Sequence, residues 1–209
     1  MCPDRVDRVG RDHRPDNPLF IPEGHNADNP VVPANAVYAI GAHDALGFAP
    51  FSIDSIDQNP GALASAFDML AQLSPDILAA QGTGRMMGFK PSQAYDESLD
   101  FAPDVATIGD YRFTVAYGSA ASPQTPGYGG IIIQTGPEDY LIAGQGITVT
   151  FEPVNGGSAG IDKAWEGRFE NGTWVPGRLL NGDQTHQGRH VALNAGDWKI
   201  QQLRLYTYR

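Results

Sequence analysis

The sequence predicts a two-part α+β chain: a βα segment over residues 18–85 and an antiparallel β-sandwich over 86–209. Three observations carry that reading. Glycine and proline are abundant, with 25 Gly and 16 Pro among 209 residues, a level of turn formers that suits many short strands and excludes a long-helix protein. Leu63, Phe67, Leu70, Leu73, Ile77 and Leu78 recur at helical spacing between Gly61 and Ala80, the pattern of an amphipathic helix. Beyond residue 105 the apolar pattern changes to a period of two, the spacing of half-buried strands.

The elements follow in order. Residues 1–17 hold four Arg and four Asp with almost no apolar partner and read as an irregular lead. Pro18-Leu19-Phe20-Ile21-Pro22 is a short apolar run between turn formers, a buried strand that ends at Glu23. Pro33 suits a first helical turn, and Ala34 to Leu46 places Val37, Ile40 and Leu46 on a helix that Gly47 stops. Gly47 to Ile53 reads as a second strand, followed by the helix Gly61 to Ala80, where Pro75 is expected to kink the helix or begin a new segment. Strand, helix, strand, helix is the grammar of a parallel sheet with outer helices.

The polar stretch Lys90 to Glu97 marks the junction. After it, Tyr111 to Tyr117, Ile147 to Phe151 and Leu203 to Tyr208 alternate, and Gly129 to Gln134 is a wholly apolar strand. Asn171-Gly172 and Asn181-Gly182-Asp183 are hairpin-type turns. Seven or eight strands without a helix predict an antiparallel sandwich.

Charge narrows the partners. The net charge is −10 and the isoelectric point about 4.7, which argues against nucleic acid or an anionic membrane, since phosphate binding needs clustered positive charge. No apolar run reaches the roughly 18 residues of a membrane span. The first residues lack the apolar core of a signal peptide. Cys2 is the single cysteine, so no internal disulfide and no CxxC ligand pair is expected. His13, His25, His43, His186 and His190 show neither HxH nor HExxH spacing, and neither a metal nor a cofactor is expected.

Phe20-Ile21-Pro22-Glu23-Gly24-His25-Asn26 places a carboxylate where a strand ends. In parallel α/β folds ligand chemistry collects there. Read by itself, Glu23 is either a catalytic group or a solvated loop carboxylate; His25 and Asn26 either orient a ligand or terminate the strand. In the second half, Trp165, Trp174, Tyr128 and Tyr140 either stack on sugar rings or pack the core. The polar loop Asn181 to Arg189 is expected to act as a clasp against the 18–90 region, with Asp183 and Arg189 partly buried.

Asn17 to Glu23, followed by Tyr38-Ala39-Ile40-Gly41-Ala42-His43-Asp44-Ala45-Leu46-Gly47-Phe48-Ala49-Pro50-Phe51, resembles the last quarter of a bacterial β-galactosidase of glycoside hydrolase family 35. Gly127 to Pro137, Trp174 to Arg189 and Leu203 to Tyr208 are similar to the β-sandwich that follows the barrel in one branch of that family. The resemblance covers about residues 15–209 and implies that 18–85 are the last two βα units of a (β/α)8 barrel. It implies Glu23 as the nucleophile at the end of barrel strand seven, with His25, Asn26 and Phe51 in substrate binding. Phe48 to Ile53 matches strand eight, and Gly61 to Ala80 the closing helix. The implied activity is retaining, exo-acting hydrolysis of terminal β-galactosides in oligo- or polysaccharides, and for the intact enzyme a periplasmic or extracellular location. The family's acid/base, a Glu on strand four, has no counterpart here, so this chain alone is expected to be inactive. The alternative is a non-catalytic sandwich module that stabilises a barrel or binds carbohydrate.

Overall fold

The computed structural model describes residues 18–54, 61–93, 98–118, 127–180 and 189–209. The chain begins with β1 (Phe20–Ile21), α1 (Val32–His43), β2 (Gly47–Phe48) and α2 (Gly61–Ala80). β1 and β2 are parallel, with Phe20 opposite Gly47 and Ile21 opposite Phe48. Strand, helix, strand, helix is therefore the observed element order, with the two strands paired directly to each other.

Everything after α2 is strand or loop among the described residues. β3 (Met86–Phe89) leads to a small antiparallel pair, β4 (Ser92–Gln93) with β5 (Leu99–Asp100). Then come β6 (Asp104–Ile108), β7 (Tyr111–Tyr117), β8 (Gly129–Gln134), β9 (Asp139–Gln145) and β10 (Ile147–Pro153). β11 (Ser158–Glu170), β12 (Thr173–Leu179), β13 (His190–Leu193) and β14 (Lys199–Tyr208) complete the chain. A six-stranded sheet runs in the order β12-β11-β14-β9-β8-β3, and a four-stranded sheet in the order β13-β10-β7-β6. All pairings within both sheets are antiparallel.

The layers are helices, six-stranded sheet, four-stranded sheet. Ile131, Ile133, Leu141 and Ala143 pack with Val37, Met69, Leu73 and Ile77 of the two helices. Ile132, Tyr140 and Ile142, one position out of phase, pack with Phe113, Val115 and Val149 of the four-stranded sheet. Strands covered on both faces need apolar side chains on both faces. That is why β8 is apolar without alternation, while β7, covered on one face, alternates.

α1 lies against β3 at backbone distance. A Cβ on Gly41 would stand 2.7 Å from the Gly88 Cα, closer than packed atoms tolerate, so both positions require glycine. α2 runs on across Pro75, so no new segment begins there. Proline leaves the Ala71 carbonyl without its usual amide donor, and the Ser74 hydroxyl donates to that carbonyl at 2.9 Å. Two expectations fail at the helix ends. Leu46 lies beyond α1, which stops at His43 with Asp44 in the left-handed region; Leu46 is 64% exposed. Leu78 is 67% exposed, because the buried stripe runs Leu63, Ala66, Leu70, Leu73, Ile77, Ala80 and position 78 falls one residue past it. The second strand is shorter than expected: regular pairing ends at Phe48, and Phe51 returns as a single parallel bridge to Asn26, after Pro50, which has no amide to donate.

The Asn171-Gly172 turn joins β11 to β12 with both residues at positive φ, 51° and 76°, the type I′ geometry that matches strand twist. Tyr140 is fully buried between the sheets and Tyr128 is buried too. Both serve packing, whereas Trp165 and Trp174 are half-buried.

Candidate functional site at the end of the parallel pair

The hydrogen bonds around Ala49 define the geometry at Glu23. The Ala49 amide donates to the Ile21 carbonyl at 2.9 Å, and the Gly24 amide donates to the Ala49 carbonyl at 3.1 Å. In a regular parallel pair those two partners would be two residues apart. Here they are three apart, so one extra residue is inserted. Pro22 and Glu23 form a bulge, and Glu23 adopts φ 51°, a conformation that costs a non-glycine residue about 1–2 kcal/mol. A single bridge follows beyond it: the Phe51 amide donates to the His25 carbonyl at 2.8 Å, and the Ala27 amide to the Phe51 carbonyl at 2.9 Å.

Glu23, His25, Asn26 and Phe51 thus share the carboxyl end of the β1–β2 pair. Glu23 and Asn26 are exposed and His25 is half-buried; Phe51 is 48% exposed. Gly24 is buried under the Phe48 ring, which occupies the space a side chain there would need. A bulge re-aims a side chain at the cost of local pairing, and such bulges concentrate at sheet ends and beside active sites.

Sequence reasoning missed a second polar cluster. Lys90, the start of the polar junction, is only 6% exposed. Its ammonium lies 5.0 Å from the centre of the Tyr38 ring, in reach of a cation–π attraction. Tyr38 in turn meets His43 edge to face at 5.2 Å. The Tyr117 hydroxyl donates to the Asp104 carboxylate. Burial, reinforced by that hydrogen bond and the Asp104 charge, raises the Tyr117 pKa above its usual range. A cavity of about 160 Å³ opens among Tyr38, Lys90, Ser92 and Asp104. The one available signal was a lysine directly after an apolar strand.

The expected clasp lies outside the described residues for Asn181 to Gly188, Asp183 included. Its last member, Arg189, is exposed, which overturns that part of the expectation: an arginine with water available has no reason to give up hydration. Among the described residues α2 itself provides polar ties to the six-stranded sheet. The Phe169 amide donates to the Gln72 side-chain oxygen at 2.9 Å, and the Trp198 amide to the Ser65 hydroxyl at 3.1 Å. Among the described residues no group of three or more His, Cys, Asp or Glu is placed to hold a metal ion, and no helix is long and apolar enough to cross a membrane.

A family model described as a domain of unknown function, DUF5597, matches residues 63–192. The match starts in α2 and ends in β13, so it takes in the long helix and strands of both sheets and leaves out β1, α1 and β2 at one end and β14 at the other. No curated protein matches the chain.

Proposed function

The chain belongs to the DUF5597 family, a domain of unknown function; on the geometry at Glu23 and the sequence resemblance we propose that it is the C-terminal portion of a retaining, exo-acting β-galactosidase-like glycoside hydrolase. In this reading residues 18–85 are the last two βα units of a (β/α)8 barrel and Glu23 is the nucleophile. The observation that carries it is the bulge: a carboxylate held in a left-handed conformation at the carboxyl end of a parallel strand. Strain of this kind persists where the surroundings over-determine it, and it clusters at functional sites. The sequence resemblance to glycoside hydrolase family 35 supports the same assignment.

The chemistry needs two carboxyl groups about 5–5.5 Å apart. The Glu23 carboxylate attacks the anomeric carbon, the glycosidic C–O bond breaks, and a carboxylic acid protonates the departing oxygen. Water, deprotonated by that same second carboxylate, then displaces Glu23 and releases galactose with retained configuration. By the resemblance, the second carboxylate is assigned to the end of barrel strand four, across the barrel from β1, for which these residues hold no counterpart. In the described structure β1 pairs with β2 alone, and Phe20, Leu46, Phe51 and Ile53 expose apolar surface nearby, as a segment completed by further strands would.

A second reading has its own support. The family match leaves out Glu23, which favours a non-catalytic α2-plus-sandwich module that stabilises a barrel or binds carbohydrate. One experiment separates the two. An affinity tag after Arg209, introduced in the native host, recovers the polypeptide as the cell makes it. It is expected to hydrolyse a nitrophenyl β-galactoside, and Glu23→Gln should lower turnover about 10³-fold or more, as loss of a covalent nucleophile does. The 209-residue chain alone should show no turnover. Hydrolysis unchanged by Glu23→Gln, or none at all by the native polypeptide, refutes the hydrolase reading and leaves the module.

A further inference from the structure

A separate cleft lies where α2 meets β11, β12 and β14, and it encloses about 270 Å³, near the lower end of small-ligand sites. No residue of β1, α1 or β2 lines it. Its charge opposes that of the molecule. Three cations, Arg168, Arg178 and Lys199, line it with one carboxylate, Glu166, on a chain whose net charge is −10. Arg168 is engaged by Glu170 at 2.7 Å. Arg178 and Lys199 are different: each stands 3.7 Å from the Glu166 carboxylate, too far for a hydrogen bond. Both form ion pairs with Glu166, so two cations share one carboxylate, the trio keeps one net positive charge, and the N–H donors still have hydrogen bonds to give.

The backbone has been shaped around this cleft. The β11–β12 register shifts between Trp165 and Gly167, a bulge beside the residues that carry the charges. At Gly167 an added Cβ would stand 2.6 Å from the Val175 carbonyl, so no side chain rises from that part of the wall. The floor beside the charged groups is apolar and shallow, formed by Gly167 and Gly177 and by the small part of Trp198 and Met69 that reaches the surface, 6% and 1% exposed. An apolar lining with a few convergent polar groups is the composition of a small-molecule site.

We propose that this cleft binds a small sugar bearing one carboxylate, a uronic acid. The ligand carboxylate bridges Arg178 and Lys199, the C–H face of the ring lies on the apolar lining, and Glu166, an acceptor only, takes hydrogen bonds from ring hydroxyls. The assignment does not rest on Glu23 or on the hydrolase reading.

Calorimetric titration of the 209-residue chain with D-galacturonate, D-galactose and acetate at low salt tests it. Galacturonate should bind at least tenfold more tightly than either galactose or acetate. Added salt should weaken its binding, because the charges are solvent-accessible. The double substitution Arg178→Gln and Lys199→Gln should lower affinity at least tenfold while the thermal unfolding midpoint holds. Equal binding of galactose or of acetate, absence of binding, or unchanged affinity in the double variant would overturn the proposal.

Discussion

At the scale of single residues, Glu23 and Lys90 show what a local sequence reveals and what it conceals. Glu23 stood out because an apolar strand, a proline and a carboxylate lie in contiguous sequence; its bulge did not, because that depends on Ala49, which the fold brings alongside. Lys90 reads in sequence only as the start of a polar stretch, because its aromatic partner Tyr38 reaches it through the packing of α1 on β3. Tyr117 and Asp104 are likewise joined only by the register of β6 on β7. That pair carries a pH consequence. The raised Tyr117 pKa means the folded state holds the phenolic proton beyond the ordinary value of 10.0, where the unfolded chain releases it. Its contribution to stability is therefore complete below about pH 10 and is lost progressively as pH rises beyond that. Urea unfolding between pH 8 and 11 should show stability falling more steeply above pH 10 in the wild type than in Tyr117→Phe. Tyr140, whose pKa burial also raises, should leave a residual slope in the variant. Parallel curves for the two proteins would show that the Tyr117–Asp104 contact does not act this way.

At the scale of elements, α2 was legible almost to the residue, since six apolar positions at helical spacing leave few alternatives. The error lay in which side chain closes the stripe. Leu73 is fully buried against the six-stranded sheet, whereas Leu78 points to water. Leu73→Ala should cost about 2–5 kcal/mol through lost transfer energy and the cavity left behind. Leu78→Ala should stay within about 0.5 kcal/mol. Equal effects in chemical denaturation would contradict the register of the helix. Proline's cost at position 75 is visible in the sequence, but the donor that relieves it, the Ser74 hydroxyl, is recognisable only once the helix is in place. β8 was legible as a strand. Why it is apolar throughout was not, because the layer covering its second face comes from helices more than forty positions earlier.

At the scale of the whole molecule, the sandwich follows from alternation and turn chemistry in the sequence, and the structure bears it out. What the sequence did not reveal is that the helices are a third layer on that sandwich, sharing a core with it through Ile131, Ile133, Leu141 and Ala143. Packing of this kind joins residues far apart in the chain and leaves no local signature. It gives the proposed hydrolase a physical role for its sandwich: the six-stranded sheet holds α1 and α2, and α1 with β2 holds the strand from which Glu23 projects. The central claim is that Glu23 is a glycosyl-accepting nucleophile, and covalent trapping tests it most directly. A 2-deoxy-2-fluoro-β-galactoside with a good leaving group, incubated with the native polypeptide, should accumulate a glycosyl-enzyme, because loss of the 2-hydroxyl contacts slows its breakdown. Peptide mass spectrometry should then find one fluorogalactosyl group, carried by Glu23. Its appearance on a different carboxylate, or hydrolysis of galactosides by a polypeptide that forms no adduct at Glu23, would contradict the account.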